Sequence, residues 1–532
     1  MKVLVSDAFS PEGLEQLRKN VEVDYQPEIK PDELVEKIKQ FNALVVRSRT
    51  KVTADVIEAG ENLKVIGRAG VGVDNIDVDK ATEKGIIVVN APHGNTISAA
   101  EHAIALLTSL ARNIADANRS VKQGEWKRSE YTGVELNQKT FGVVGIGRIG
   151  SEVARRARAM GMKIITHDPY ISAEQAQKMG VEMVPFEDLL KQADFITLHV
   201  PMSTSTYHLI GEKEIAMMKP GVRIVNCARG GLIDEDALCK GLQEGKVAGA
   251  ALDVFEQEPP GSCNLLEFDN VICTPHLGAL TREAQTNVAL QVSEQVINAL
   301  QEKQVVSAVN VPALHPETST AVGPYLPLLK IIGSFYFQVY GGSVDEIELT
   351  YSGDIASLPF SPMTTSCLVG FLQHIVGDSV NWVNAPYIAK SRGIAVREIA
   401  TTEVKNYSNM VTMSVRSGSE EHVISATRIN SDMRIVRVDD YRTEIVPSRY
   451  MLLITCKDQP RIVGKVGTLL GEDNINIASM QLGRKKAGGT AAMALQTDEE
   501  IPLETLKKVR DLDVIKTANF VVLPKSLFAK NQ

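Results

Sequence analysis

The chain has 532 residues, which at roughly 150 residues per domain gives three or four domains. Lys plus Arg is 57 and Asp plus Glu is 65, a net charge of −8 that argues against nucleic-acid or anionic-membrane partners. At 44% hydrophobic and 23% charged, the composition excludes disorder, collagen and coiled coil for the whole chain.

The start, Met1–Asp7, meets an acid too early for a secretory segment, and no apolar run reaches the ~18 residues of a membrane helix. Over residues 2–90 the β-rich runs Val3–Val5, Val21–Val23, Ala43–Val46, Val65–Ile66 and Ile86–Val89 predict strands. Helical stretches such as Glu12–Lys19 and Asp32–Phe41 lie between them, so a parallel sheet covered on both faces is expected. From Thr96 to about Asn118 one long helix is expected, with Ala100, Ala103, Ile104, Leu107 and Leu110 on one stripe, as a spine between domains. A second α/β series follows from Lys139. Its six strands are Phe141–Ile146, Lys163–Asp168, Phe195–Val200, Arg223–Cys227, Ala248–Val254 and Val271–Thr274.

The first of these strands runs into Gly145-Ile146-Gly147-Arg148-Ile149-Gly150, and a helical pattern follows. A second strand ends in Asp168, 18 residues past Gly150. This is the βαβ dinucleotide fingerprint: glycines for the tight turn, for approach of backbone to pyrophosphate and for helix–strand packing. Asp168 can accept from both ribose hydroxyls and repels a 2′-phosphate, which favours NAD over NADP.

Three later strand ends carry chemistry. Arg229 stands among small residues in Asn226–Gly231, Glu256 and Glu258 follow Asp253, and His276 lies in Pro275-His276-Leu277-Gly278. Strand carboxyl ends border the ligand crevice of open α/β sheets. An arginine fork suits a carboxylate, and a His is the natural acid–base near neutral pH, its protonated form favoured by an adjacent carboxylate. Glu258 is preferred to Glu256 as the acid directly before Pro259-Pro260. A long helix, about Thr281–Gln301, reads as a return crossing onto the first sheet.

Asn310–Pro316 reads as a linker, and residues 317–447 as a folded module of mixed strands and helices without a chemical motif. The last ~85 residues read as βαββαβ, a ferredoxin-like order. Its elements are Met451–Thr455, Ile462–Leu470, Ile475–Gly483, Thr490–Leu495, Leu503–Val509 and Val514–Val522. Cys227, Cys239, Cys263, Cys273, Cys367 and Cys456 lack paired short spacing and read as reduced thiols. Cytoplasm is the expected compartment. His93, His199, His208 and His374 read as structural, and no metal site is expected.

The run of motifs over residues 1–310 resembles the D-isomer-specific 2-hydroxyacid dehydrogenases. With a tail that resembles an ACT domain, it is similar to the long-form D-3-phosphoglycerate dehydrogenase family. The expected fold is α/β: two doubly wound parallel-sheet domains, one of them Rossmann, an intervening α+β domain and a ferredoxin-like ACT domain. The expected bounds are 1–97 plus 284–312 for substrate, 98–283 for NAD, 317–447 for the intervening domain and 448–532 for the ACT domain.

The resemblance implies NAD-dependent oxidation of 3-phospho-D-glycerate to 3-phosphohydroxypyruvate, the first step of L-serine biosynthesis. It places the catalytic trio on Arg229, Glu258 and His276. Cofactor contacts fall on Gly145, Gly147, Arg148, Ile149, Gly150, Asp168, Cys227, Asp253, His276 and Gly278. A trianionic substrate needs cations, and Arg47, Arg68 and the Gly70-Val71-Gly72 loop are the expected contacts. Lys127 and Arg128, beside Trp126, are further candidate cations for that site, within one chain or across a subunit boundary. The family further implies a homodimeric core, a homotetramer and L-serine bound at the ACT domain through Asp458 and Asn476. Here the usual Arg-Pro-Gly turn reads Gln459-Pro460-Arg461, and Cys456 stands where relatives carry His or Tyr. Two other readings stay open: a glyoxylate or hydroxypyruvate reductase of the same family, against which the tail argues, and an NAD-sensing binding protein.

Overall fold

The computed structural model describes residues 1–528 apart from 262, 312–315, 405, 431, 485 and 487. Most of the expected linker, residues 312–315, therefore lies outside the described residues. The chain builds four sheets in succession.

The first is a five-stranded parallel sheet. In spatial order its strands are Glu22–Tyr25, Lys2–Val5, Ala43–Val46, Val65–Arg68 and Ile87–Val89. Ala43–Val46 is buried throughout, as a strand covered on both faces must be. The long helix Arg282–Leu300 returns to this sheet, and Val288, Val292 and Val296 join Val3, Val5, Val45 and Val65 in one core. Gly67 makes room for it: a Cβ there would lie 2.6 Å from a Val296 methyl.

The second sheet is parallel with seven strands, one more than the sequence suggests. The extra strand, Glu182–Met183, spans two edge residues, too few for a period-two pattern. Chain order reverses where Thr140–Val144 pairs with Phe195–Leu198, and this switch point opens the crevice. The helix expected from Thr96 to Asn118 is two helices, Thr96–Ala111 and Ile114–Lys122. They break at Asn113, which takes a left-handed φ of 50°.

Residues 317–447 fold as helices against a six-stranded mixed sheet. Helices Leu326–Tyr340 and Ser361–Val376 cross where Gly333 and Gly370 lie against each other's backbone. Cβ atoms there would sit 2.1 and 2.0 Å from the facing carbonyls of Cys367 and Lys330. Asn381 joins this region to the first lobe by donating to Gly85 O at 2.9 Å. The last sheet is antiparallel, ordered Ile477–Arg484, Thr490–Thr497, Tyr450–Lys457, Ile515–Val522, with helices Ile462–Glu472 and Leu503–Arg510. One face buries Leu452, Ile454 and Cys456 under the helices. Met451, Leu453, Ala494 and Val521 instead enter the core of the preceding region.

Candidate active site

The glycine loop lies at the switch point. Gly145 has φ 88°, and a Cβ on it would stand 2.8 Å from His199 O on the neighbouring strand end. At Gly150 a Cβ would lie 2.1 Å from Gly145 O, so glycine is what lets helix Arg148–Ala159 sit on the strand. At Gly147 a Cβ would meet nothing within 4 Å, and no side chain caps this helix N-terminus. A tight turn, open space and an uncapped helix start fit a dinucleotide pyrophosphate. Asp168 leans over the loop, accepting from Ile146 N at 3.0 Å and Tyr170 N at 2.9 Å. Ile149 packs into the core, and the Arg148 guanidinium reaches across to Pro92 O at 3.3 Å, bridging the lobes.

Arg229 follows strand Val222–Asn226 in a turn that Asn226 organises. Asn226 is buried; it donates to Arg229 O at 2.9 Å and accepts from Ala228 N at 3.0 Å. Gly230 presses on the next loop, where a Cβ would lie 1.8 Å from Phe255 O. The Arg229 Nε donates to Asp74 at 3.2 Å, tying this turn to the first lobe.

Glu258 and His276 meet through Oε2 and Nδ1 at 2.8 Å, and Phe255 N donates to the other Glu258 oxygen at 3.3 Å. Burial pushes the Glu258 carboxyl up, but the bond and charge of His276 outweigh it and hold the group below its usual range. Glu256 takes a different partner, His208, at 2.9 Å.

His276 has a left-handed φ of 54° that a non-glycine residue adopts only when held. Asp253 holds it. Its backbone oxygen accepts from His276 N at 2.9 Å, and its carboxylate from Leu277 N at 2.7 Å and Gly278 N at 2.8 Å. Thr274 and His102 complete the set. Asp253, expected against the cofactor, is thus fully buried with its carboxylate engaged in anchoring the His276 turn. Cys227 is half-buried beside it, its thiol pushed up by burial and then by the Asp253 charge.

Arg229, Glu258 and His276 line one cavity of about 1060 Å³, shared with Arg47, Arg68 and the 70–72 loop. Cβ atoms at Gly70 and Gly72 would fall 1.3 Å from Arg68 Nη1 and 2.1 Å from Arg229 Nη2. In this arrangement both forks rest against the bare glycine backbone. Asp7 is buried and fixes the neighbouring loop, accepting from Arg47 N at 2.5 Å and Thr50 N at 3.2 Å. Arg68 Nε is buried without a partner. Burial, followed by repulsion from Arg229 and Arg47, pulls its guanidinium down to about 10, with Asp74 and Asp7 opposing. Lys127 lies outside this cavity, paired with Glu125 at 3.0 Å.

His199 is half-buried, and desolvation pulls it down to about 4; its ring is bonded to Thr197 at 3.1 Å. The two effector candidates are not brought together in one chain. Asp458 follows strand Tyr450–Lys457 and accepts from Gly488 N at 3.0 Å. Asn476 precedes strand Ile477–Arg484, whose start is level with Thr497 and hence Tyr450, at the opposite end of the sheet.

Reading the sequence alone missed Asn226, Asp74 and His102, as well as the anchoring role of Asp253. A polar residue at or just past a buried strand end, as with Asn226 and Asp253, was the signal available for two of them.

Residues 104–278 match the D-isomer specific 2-hydroxyacid dehydrogenase NAD binding domain. Residues 321–439 match the D-3-phosphoglycerate dehydrogenase intervening domain, and 450–514 the ACT domain. A D-3-phosphoglycerate dehydrogenase of Synechocystis sp. is 45% identical over 98% of this chain and 95% of that protein. One from Methanocaldococcus jannaschii is 47% identical over 97% and 98%. Among solved structures, a glyoxylate reductase from Paecilomyes thermophila is 35% identical at TM-score 0.54, covering 58% of this chain and 98% of that one. A D-lactate dehydrogenase from Aquifex aeolicus, complexed with NAD and lactic acid, is 31% identical at TM-score 0.52, covering 59% and 100%. With near-full-length identity to such relatives and all three regions in order, the chain belongs to the D-3-phosphoglycerate dehydrogenase family.

Proposed function

We propose that this chain oxidises 3-phospho-D-glycerate to 3-phosphohydroxypyruvate with NAD, the first step of L-serine biosynthesis. The observation that carries this is the single cavity holding Arg229, the Glu258–His276 pair, Arg47 and Arg68. Arg229 holds the substrate carboxylate and draws charge from the C2 oxygen as it becomes a carbonyl. His276, its Nδ1 committed to Glu258, takes the C2 hydroxyl proton at Nε2. Glu258 fixes the ring and compensates the imidazolium charge. NAD, when bound along Gly145–Gly150 and Asp168, supplies the acceptor for the hydride leaving C2. Arg47, Arg68 and the N–H groups of residues 70–72 receive the phosphate, for which a glyoxylate reductase has no need.

The first lobe with helix Arg282–Leu300 is the substrate domain (1–97 plus 284–312), and 98–283 the NAD domain, with 317–447 and 448–532 regulatory. Self-association is supported by Ile97, Ile114, Val121 and Trp126, 50, 53, 54 and 78% exposed on and beside the two spine helices. An L-serine site using both Asp458 and Asn476 would draw them from two copies. Among the described residues no helix is long and apolar enough to cross a membrane.

The test is NADH formation from 3-phosphoglycerate and NAD, with and without L-serine, using Arg229→Ala as the blank. Turnover absent in the variant supports the reading, and serine sensitivity supports the effector role. Tight NAD binding without turnover counts against it and favours another hydroxyacid or a sensor.

A further inference from the structure

We infer that His102 is a positioning residue for the proton-transfer step, acting through Asp253 on the turn that carries His276. The inference rests on the reading of His276 as the acid–base.

Helix Thr96–Ala111 lays one face against that turn. Ser98 and His102 are one helical turn apart and so share a face. The Ser98 hydroxyl donates to Gly278 O at 2.9 Å. His102 Nε2 lies 3.1 Å from Asp253 Oδ1 and 3.2 Å from Thr274 Oγ1. The Thr274 hydroxyl itself donates to Asp253 Oδ1, so its oxygen is free to accept from His102. His102 thus hydrogen-bonds the residue whose hydroxyl holds Asp253 Oδ1 and also stands beside that oxygen.

The Asp253 carboxylate is fully buried, and a buried carboxylate must have its acceptor positions met. It offers about four. Oδ1 accepts from Leu277 N and the Thr274 hydroxyl with His102 Nε2 beside it, and Oδ2 accepts from Gly278 N. His102 is the member of this set able to carry a full positive charge. Burial pushes the Asp253 carboxyl up, and the bond from His102 is the largest of the effects that bring it below the usual range.

The oxygen that His102 touches is also the one receiving Leu277 N, the residue after His276. His276 sits in a backbone conformation it does not prefer, so the turn keeps its shape only while Asp253 holds it. Losing the His102 donor leaves Oδ1 to Leu277 N and the Thr274 hydroxyl alone, which loosens the turn, and His276 moves relative to Glu258 and Arg229. A displacement of about 1 Å at a reacting group can cost on the order of a hundredfold in rate. His102 lines no part of the substrate cavity, so the effect falls on turnover and not on substrate capture.

The experiment compares wild type, His102→Leu and His102→Gln. Glutamine keeps an N–H donor near the position of Nε2, and leucine keeps volume without it. His102→Leu is expected to lose at least about tenfold in kcat, with the KM for 3-phosphoglycerate and the Kd for NAD within about threefold of wild type. His102→Gln is expected to recover most of that kcat. Amide hydrogen exchange at Leu277 and Gly278 is expected to rise about tenfold in the leucine variant and not in the glutamine one. A leucine variant with wild-type kcat, or a glutamine variant as impaired as leucine, would overturn the inference. So would a loss of NAD binding as large as the loss of turnover. If wild type makes no NADH from 3-phosphoglycerate, the reading of the reaction fails, and the exchange measurement alone decides whether His102 holds the turn.

Discussion

Glu258 Oε2 stands 2.8 Å from His276 Nδ1, and that bond decides which ring nitrogen works. With Nδ1 committed, Nε2 is the nitrogen offered to a substrate hydroxyl. Glu258→Gln keeps the shape and removes the negative charge that balances an imidazolium. Its kcat is expected to fall at least about a hundredfold with NAD binding intact, read by steady-state kinetics and a cofactor titration. Full activity would reject the assignment.

Arg68 meets two other arginines in the same cavity and has a buried nitrogen without a partner. An anion placed among them relieves this repulsion. Arg68→Ala is expected to raise the KM for 3-phosphoglycerate by at least about tenfold and that for glycerate far less. Equal losses on both substrates would reject a phosphate role.

Gly147 and Gly150 separate two kinds of failure. A methyl at Gly150 collides with Gly145 O, whereas one at Gly147 enters open space. Gly147→Ala is expected to melt near wild type yet bind NAD at least about tenfold more weakly. Gly150→Ala is expected to lower the melting temperature as well. Unchanged NAD affinity in Gly147→Ala would remove the loop from the cofactor site.

Asp168 presents its carboxylate beside the glycine loop. Asp168→Ala is expected to lower the preference for NAD over NADP by about tenfold or more, through lost ribose bonding and relieved repulsion. The ratio of kcat/KM for the two cofactors measures it.

The strand ends were legible because each carries its chemistry within a few residues of a buried apolar run, as with Arg229 after Val222–Asn226 and His276 after Val271–Cys273. The break at Asn113 was not, since one left-handed residue leaves the apolar period on either side intact. Asp253 was assigned by its place at a strand end, but its service to Leu277 and Gly278 depends on a turn that no periodicity encodes. Asp458 and Asn476 look close along the chain, yet an intervening helix and the antiparallel register send them to opposite ends of one sheet. The sheet of residues 317–447 rests largely on antiparallel partners and long-range register, which give little local signal.

Asp194 offers a test of stability away from the cavity. Its carboxylate accepts from Thr140 N and Lys219 Nζ, at 2.8 and 2.9 Å. Burial opposes these contacts, but together they hold it below its usual range. A carboxyl depressed on folding stabilises the protein above its unfolded pKa of about 4, and this is lost as pH falls through the lower folded value. Asp194→Asn is expected to melt lower than wild type at pH 7, by about 1 kcal/mol, with the gap closing toward pH 3. A gap that persists in acid would place the effect elsewhere.

Met451, Leu453, Ala494 and Val521 share a core with Leu349, Phe371 and Met413 of the preceding region. The last sheet therefore cannot be removed as a free module. Truncation before Tyr450 would strip an apolar wall from the neighbouring fold and leave it prone to aggregate. The two regions are expected to melt together as a single cooperative unit.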